Sequence, residues 1–367
     1  MRFYFALIVG ILFTTNFAWA INIREMSSGL PLSDNSRIAG MTSGDLVVYD
    51  DRVLKFYDRR IRERKTLTLN PDQRPVVAPD GRHYALVTPS VNDEITPGAR
   101  LVEVYDKKGI LQWHLSGVPD GEMYLAPGGG YLVVMTGTPG HWDWEMLICH
   151  GDSLASLVSL EAFKGIAFAN DARRFMVDCN PKGLRLFAST GEQIADYGLQ
   201  HNFCFSDRSD RAVVCYKGIL KIYQDSMLQS QTKLRETSIN ALIASDTADR
   251  IVVTSATNLE VIDLADGRQL WDYRLPTAQL NFVSLDISAD GDFIACGVSH
   301  NRGPSYEKSE RYKEDYLYLF DIDRNIMRKK KFTFDRWRSG FPVVAFWIDR
   351  RSILIQNLEK LHVVEMQ

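Results

Sequence analysis

The chain has 367 residues, of which 45% are hydrophobic and 24% charged, a balance that excludes a disordered or collagen-like polypeptide. Lys plus Arg number 43 against 46 Asp plus Glu, a formal charge of −3, so no global field argues for a nucleic-acid partner and none is expected.

The first element is a leader. Arg2 precedes an apolar run from Phe3 to Phe13, and Ala18-Trp19-Ala20 closes it. This is the layout of a secretory signal over residues 1–20, cut after Ala20, with the mature chain at 21–367. The run is short for a membrane span, and no later stretch is long and apolar enough to be one. No cysteine follows the cut, so a lipid anchor is not expected. The absence of any N-x-S/T sequon favours a bacterial envelope, and the expected location is periplasmic or secreted.

From there one unit recurs: an apolar strand, a tight polar turn, two more apolar strands, a second turn and a fourth strand. First strands begin near Ile38, Pro75, Met123, Gly165, Asn202, Ile239, Phe282 and Pro342. Turns such as APDGR, NDARR, SDRSDR, DTADR and SADGD lead into β-rich runs such as YALVT, RFMVDC, RAVVCY, IVVTS and FIACGV. With no sustained helical period the class is all-β. Eight units in the mature chain average about 43 residues, the repeat of a propeller blade. The expected architecture is therefore a β-propeller of eight four-stranded blades, with seven as the alternative. The last unit ends after a third strand near His362 to Met366, and residues 21–25 are expected to supply its fourth, closing the ring and hiding the sheet edge.

Five cysteines, Cys149, Cys179, Cys204, Cys215 and Cys296, all lie in apolar strand contexts. Packing as small core residues is the favoured reading. Cys204 and Cys215, flanking one turn, are the best candidates for a disulfide.

The segment from Asp263 through Gly267 to Trp271 (DLADGRQLW) resembles the D-x-x-T-G-K-x-L-W turn of quinoprotein-like (PQQ-like) propeller repeats. Asp106 through Gly109 to Trp113 follows it with one residue fewer. The turns at Asp80-Gly81 and Asp290-Gly291 resemble those of TolB-like and WD-type propellers. The resemblance covers nearly the whole mature chain. It implies that Trp113 and Trp271 dock against neighbouring blades. Quinoprotein dehydrogenases carry adjacent cysteines and a calcium site; this sequence has no Cys-Cys pair, and no cofactor or metal is expected.

No G-x-S-x-G, H-E-x-x-H, P-loop or G-x-G-x-x-G motif occurs. The stretch Asp321 to Asn325 starts like a calcium loop but has Ile326 where the glycine is needed, and it reads as a third-to-fourth-strand turn. More informative are three long second-to-third-strand links, at 88–100, 136–145 and 298–315. Because strands alternate in direction, all three emerge on the face that also carries the fourth-to-first connections. His141, Trp142, Asp143 and Trp144 form the densest constellation, suited to anchoring a sugar, peptide or partner; the alternative is that the tryptophans tuck over the blade edge. His300, Arg302 and Tyr306 occupy the third link. Arg336, Trp337 and Arg338 precede the eighth unit on the same side. The basic run Arg328 to Lys331 is either a patch for an acidic partner or a guard against edge pairing.

The expected function is that of an exported, non-enzymatic propeller that binds a protein or another envelope component. The rival is a propeller enzyme (hydrolase, lyase or quinoprotein-like) with its site at the central channel.

Overall fold

Strand-forming runs separated by short polar turns can bury both faces only by stacking sheet on sheet, and the chain does so throughout. The computed structural model describes residues 23–25, 30–31, 37–39, 46–50, 52–58, 62–90, 98–138, 143–151, 153–179, 181–200, 202–206, 211–245, 249–288, 290–300, 313–334, 343–346, 352–356 and 360–366. The signal expected at 1–20 lies outside them. Two short strands open the chain, β1 (Ile23–Glu25) and β2 (Leu30–Pro31). The first blade is β3 (Arg37–Ala39), β4 (Leu46–Tyr49), β5 (Val53–Tyr57) and β6 (Glu63–Thr68). The second is β7 (Arg74–Val77), β8 (His83–Pro89), β9 (Arg100–Asp106) and β10 (Leu111–Val118). The third is β11 (Glu122–Leu125), β12 (Tyr131–Thr136), β13 (Trp144–His150) and β14 (Ser153–Leu160). The fourth is β15 (Gly165–Phe168), β16 (Arg174–Asp178), β17 (Leu184–Ala188) and β18 (Gln193–Asp196). The fifth is β19 (Asn202–Phe205), β20 (Arg211–Tyr216), β21 (Ile219–Gln224) and β22 (Met227–Lys233). The sixth is β23 (Ile239–Ser245), β24 (Arg250–Ser255), β25 (Asn258–Asp263) and β26 (Gln269–Arg274). The seventh is β27 (Leu280–Ile287), β28 (Phe293–His300), β29 (Lys313–Asp321) and β30 (Ile326–Phe334).

All seven are antiparallel sheets of four consecutive strands, the number that the alternative blade count takes. One further sheet joins the two ends of the chain. In it β31 (Val343–Phe346), β32 (Ser352–Gln356) and β33 (Lys360–Met366) are followed by β1, with Ile23 opposite Met366 and Glu25 opposite Val364. Strand β2 continues along β33, Leu30 facing Leu361. The terminal closure expected from residues 21–25 is thus present from Ile23 onward.

Second strands show why the runs are so apolar. In β12, Leu132 and Val134 pack toward the second blade with Ala85, Val87, Val102 and Val104. Tyr131, Val133 and Met135 pack toward the fourth, among Phe175, Val177 and Phe187. A strand sandwiched between two neighbours needs no polar face.

Specific bonds lock blade to blade. Trp113 Nε1 donates 2.7 Å to the Gly129 carbonyl of the third blade. Trp271 Nε1 donates 3.0 Å to Asn325 Oδ1 of the seventh, its ring meeting Phe320 edge-on at 5.5 Å. Both tryptophans therefore dock as the repeat resemblance implied. The turn before Trp271 needs Gly267: its φ is +76°, and a Cβ there would lie 2.6 Å from Thr232 Oγ1 of the preceding blade.

A second set of clamps was not legible as such. The arginine that opens the second strand in three successive blades reaches the next blade. Arg174 pairs with Asp225, Arg211 Nη1 donates 3.0 Å to the Leu264 carbonyl, and Arg250 Nη2 lies 2.7 Å from Asp323 while Nη1 donates to the Gly291 carbonyl. The signal stands in the last position of NDARR, SDRSDR and DTADR. The Arg250 side chain is only 17% exposed, and Arg250→Ala leaves the carbonyl of buried Gly291 unpaired, which is expected to cost about 1–3 kcal/mol. A lower urea midpoint with an unchanged slope checks it.

All five cysteines are free thiols, four of them buried. The Cys204–Cys215 pairing is corrected: Cys204 sits opposite Val213 and Cys215 opposite Asn202, two positions out of register. Burial pushes the Cys149, Cys179 and Cys215 thiols up to about 11.

Candidate functional site

Strand alternation divides the disc. First-to-second and third-to-fourth turns occupy one face; second-to-third and fourth-to-first links occupy the other, called here the insertion face. Three residues distant in sequence meet on it. Arg74 opens β7, Arg100 opens β9 after the first long link, and Asp120 lies in the link from β10 to β11. Arg100 Nη2 is 2.7 Å from Asp120 Oδ2, and Arg74 Nη2 is 3.9 Å from Asp120 Oδ1 while donating 3.0 Å to the Gly121 carbonyl. The Arg100 guanidinium beside Asp120 is the main reason that its carboxyl is held below the ordinary range. Next along, Tyr124 Oη donates 2.6 Å to Glu122 Oε2.

Arg74 is the hub of three concavities. One, of about 700 Å³, runs beside the first strands of the second to fourth blades. Arg74, Glu122 and Asp50 stand at its insertion-face end, with Pro75, Val76, Met123, Ile166 and Phe168 among the apolar residues of the wall. The other two, about 300 and 220 Å³, lie over Asp120 on either side of Arg74, the first reaching Gly137 and Trp144 and the second Val87 and Arg100. The first two long links therefore border one continuous relief. A hollow with a mixed polar and apolar wall offers area for a partner side chain and orienting groups at its edge. Among the described residues, no three of His, Cys, Asp and Glu stand close enough to hold a metal ion.

The residues singled out from the sequence divide. Asp143 is described and exposed, at the end of the second long link. Trp144 is corrected. It is 5% exposed, opens β13 and packs in the core with its ring 5.3 Å from Phe163. Gly137 lies directly beneath that ring, where a Cβ would come within 2.6 Å. Trp144 thus belongs to the scaffold and not to an exposed anchor set. His300 is the last residue of β28, opposite Leu280, so the sheet extends further into the third link than the composition suggested. His141, Trp142, Arg302, Tyr306, Arg336, Trp337 and Arg338 lie outside the described residues.

Sequence reasoning missed Arg74, Arg100 and Asp120. The available signal was weak: Arg74 and Arg100 each hold the first position of a strand in the same unit, and Asp120 lies in a link.

Neither a protein-family profile nor a curated protein matches the sequence. Solved structures do. The WD40 domain of SCAP from fission yeast superposes with a TM-score of 0.57 at 10% identity, over 94% of this chain and 98% of that one. BamB from Moraxella catarrhalis gives 0.58 at 13% identity, over 94% and 100%. The Cps50 (Swd1) β-propeller domain of Myceliophteria thermophila gives 0.50 at 11% identity, over 95% and 100%. At such identities the likeness is one of fold. The chain is an all-β propeller.

Proposed function

We propose that this chain is an exported, non-enzymatic β-propeller that binds a protein or another envelope component through its insertion face. The observation that carries the reading is the convergence of Arg74, Arg100 and Asp120 between two long links, beside an open hollow of mixed polar and apolar lining. WD40-type and BamB-like neighbours are compatible with a binding module, although fold alone does not assign one. Trp142, Trp337, Arg302, Tyr306, Arg336 and Arg338 are then the anchors and polar contacts that the links would add.

The test is capture of partners from native envelope extract by the mature chain, identified by mass spectrometry, followed by titration of the captured component. Arg74→Glu and Trp142→Ala are each expected to weaken it by about 2 kcal/mol or more, as central Arg and Trp anchors do, with the fold intact by circular dichroism. Undiminished capture by both variants would defeat the proposed face. Export is checked by N-terminal sequencing: a chain beginning at Ile21 supports it, and retention of Met1 counts against it.

A further inference from the structure

A different surface, the rim of the third blade, is set apart by the absence of charge. Its fourth strand, β14, ends the sheet order, and among the described residues no strand pairs with its outer side. Its eight residues, Ser153 to Leu160, include no ionisable side chain, no proline and no glycine. The fourth strand of every other blade carries at least one ionisable group: Lys65 in β6, His114 in β10, Asp196 in β18, Lys233 in β22, Asp272 in β26 and Lys329 in β30. Charge is one of the devices that keep an exposed edge from pairing between chains. A bulge at Ala155 breaks the ladder only near its start, and Ser156 to Leu160 pair regularly with β13. Leu154 and Leu157 stand opposite Cys149 and Leu147, which belong to the cluster between the second and third blades, so both leucines lie on that side of the sheet. They are 54% and 56% exposed, whereas Val158 and Leu160 on the other side pack toward the fourth blade. Among the described residues the acids closest in register and sequence are Glu145, opposite Ser159 on β13, and Glu161, past the end of β14 and 3.0 Å from Lys182 Nζ.

We propose that β14 pairs with β14 of a second copy of this chain, antiparallel about a two-fold axis at Leu157, and so forms a dimer. The charge pattern selects this occupant. Residues directly opposite in an antiparallel pair share one face of the sheet. Leu157 therefore meets its own equivalent, and Leu154 of each copy lies on the same side, so the exposed leucines of the two copies cover one another. Glu161 falls near Ser153 of the second copy and Glu145 stays one strand further in, so no charge on the edge meets its like. The contact also closes on itself. The opposite edge of the sheet is β11, the first strand of the blade at the centre of the disc, and no third copy can add there. At about 3.3 Å per residue the paired edge is roughly 26 Å of a single strand. That is less than a standard interface, which makes the dimer a transient one.

The experiment is sedimentation velocity of the mature chain over a concentration series, with amide exchange measured at the two ends of the series. The mass is expected to rise to twice that of the monomer with a midpoint of about 10–100 µM, and exchange across 153–160 is expected to slow at the higher concentration. Leu157→Lys and Leu157→Glu, each folded by circular dichroism, are expected to weaken the dimer about tenfold, because like charges then face each other across the axis. An equimolar mixture of the two variants is expected to recover it, since opposite charges then meet. Leu270→Lys, at an exposed leucine of β26, is expected to leave it unchanged. A monomer throughout the series, a mass that climbs past the dimer, or undiminished association of the Leu157 variants would each overturn the proposal. So would a mixture that associates no better than either variant alone, equal weakening by Leu270→Lys, or a dimer without protection of 153–160, which would place the contact elsewhere.

Discussion

A chain that begins at residue 32 is expected to lose most of its resistance to denaturant and to associate. Strands β1 and β2 pair five residues with β33. Removing them leaves the outer groups of β33 without partners, and each lost backbone bond is worth about 1 kcal/mol net. The loss extends inward, because Val364 and Met366 of β33 are core residues packed against Leu317 and Leu319 of the seventh blade. Several kcal/mol is a large share of the stability of any domain. The exposed edge is also a template for pairing between chains. The urea midpoint and sedimentation velocity measure the two effects. A synthetic peptide of residues 21–31 supplied in trans should restore part of the midpoint. An unchanged midpoint for the truncated chain would show that terminal pairing does not hold the ring.

The second large effect concerns Trp144. Its substitution by alanine is expected to cost about 3–5 kcal/mol, the range for deleting a large buried aromatic. The ring fills the space over Gly137 and beside Phe163, within the cluster that joins the third and fourth blades. Relaxation cannot refill that space cheaply, since Met146, Ile148 and Phe175 around it are fully buried strand residues. Trp142→Ala, two positions earlier, is expected to leave the midpoint near the wild-type value while weakening capture. Parallel urea titrations of the two variants check both expectations. A Trp144→Ala chain as stable as wild type would remove the packing argument.

Trp144 illustrates how far the sequence could be read. His141-Trp142-Asp143-Trp144 has the composition of a loop, and nothing in it says where the strand resumes. Only the register, Trp144 opposite Leu160, shows that β13 has already begun. The same holds at His300, where pairing of Ser299 with Asp315 carries the sheet into a segment whose polar composition reads as loop. The order of the blades, their first strands, the docking of Trp113 and Trp271 and the joining of the two ends were all legible. Each depends on neighbours in sequence or on a repeat that the chain displays many times.

What the sequence by itself determined is therefore periodic: strands from alternation, turns from Asp and Gly, the propeller from the recurrence of the unit. What only the tertiary structure decided is which residues of different units meet. Arg74, Arg100 and Asp120 carry no motif, because strand pairing and the course of the link bring them together. Arg100 stands opposite Val118 in the β9–β10 hairpin, two residues before Asp120, and Arg74 at the start of β7 meets Asp120 and Gly121 where the chain leads into the third blade. The arginine clamps and the register of Cys204 against Val213 belong to the same class. Hydrophobic burial is non-directional and specifies that blades stack, whereas charge pairing and hydrogen bonding depend on distances of a few ångströms that exist only after they have done so.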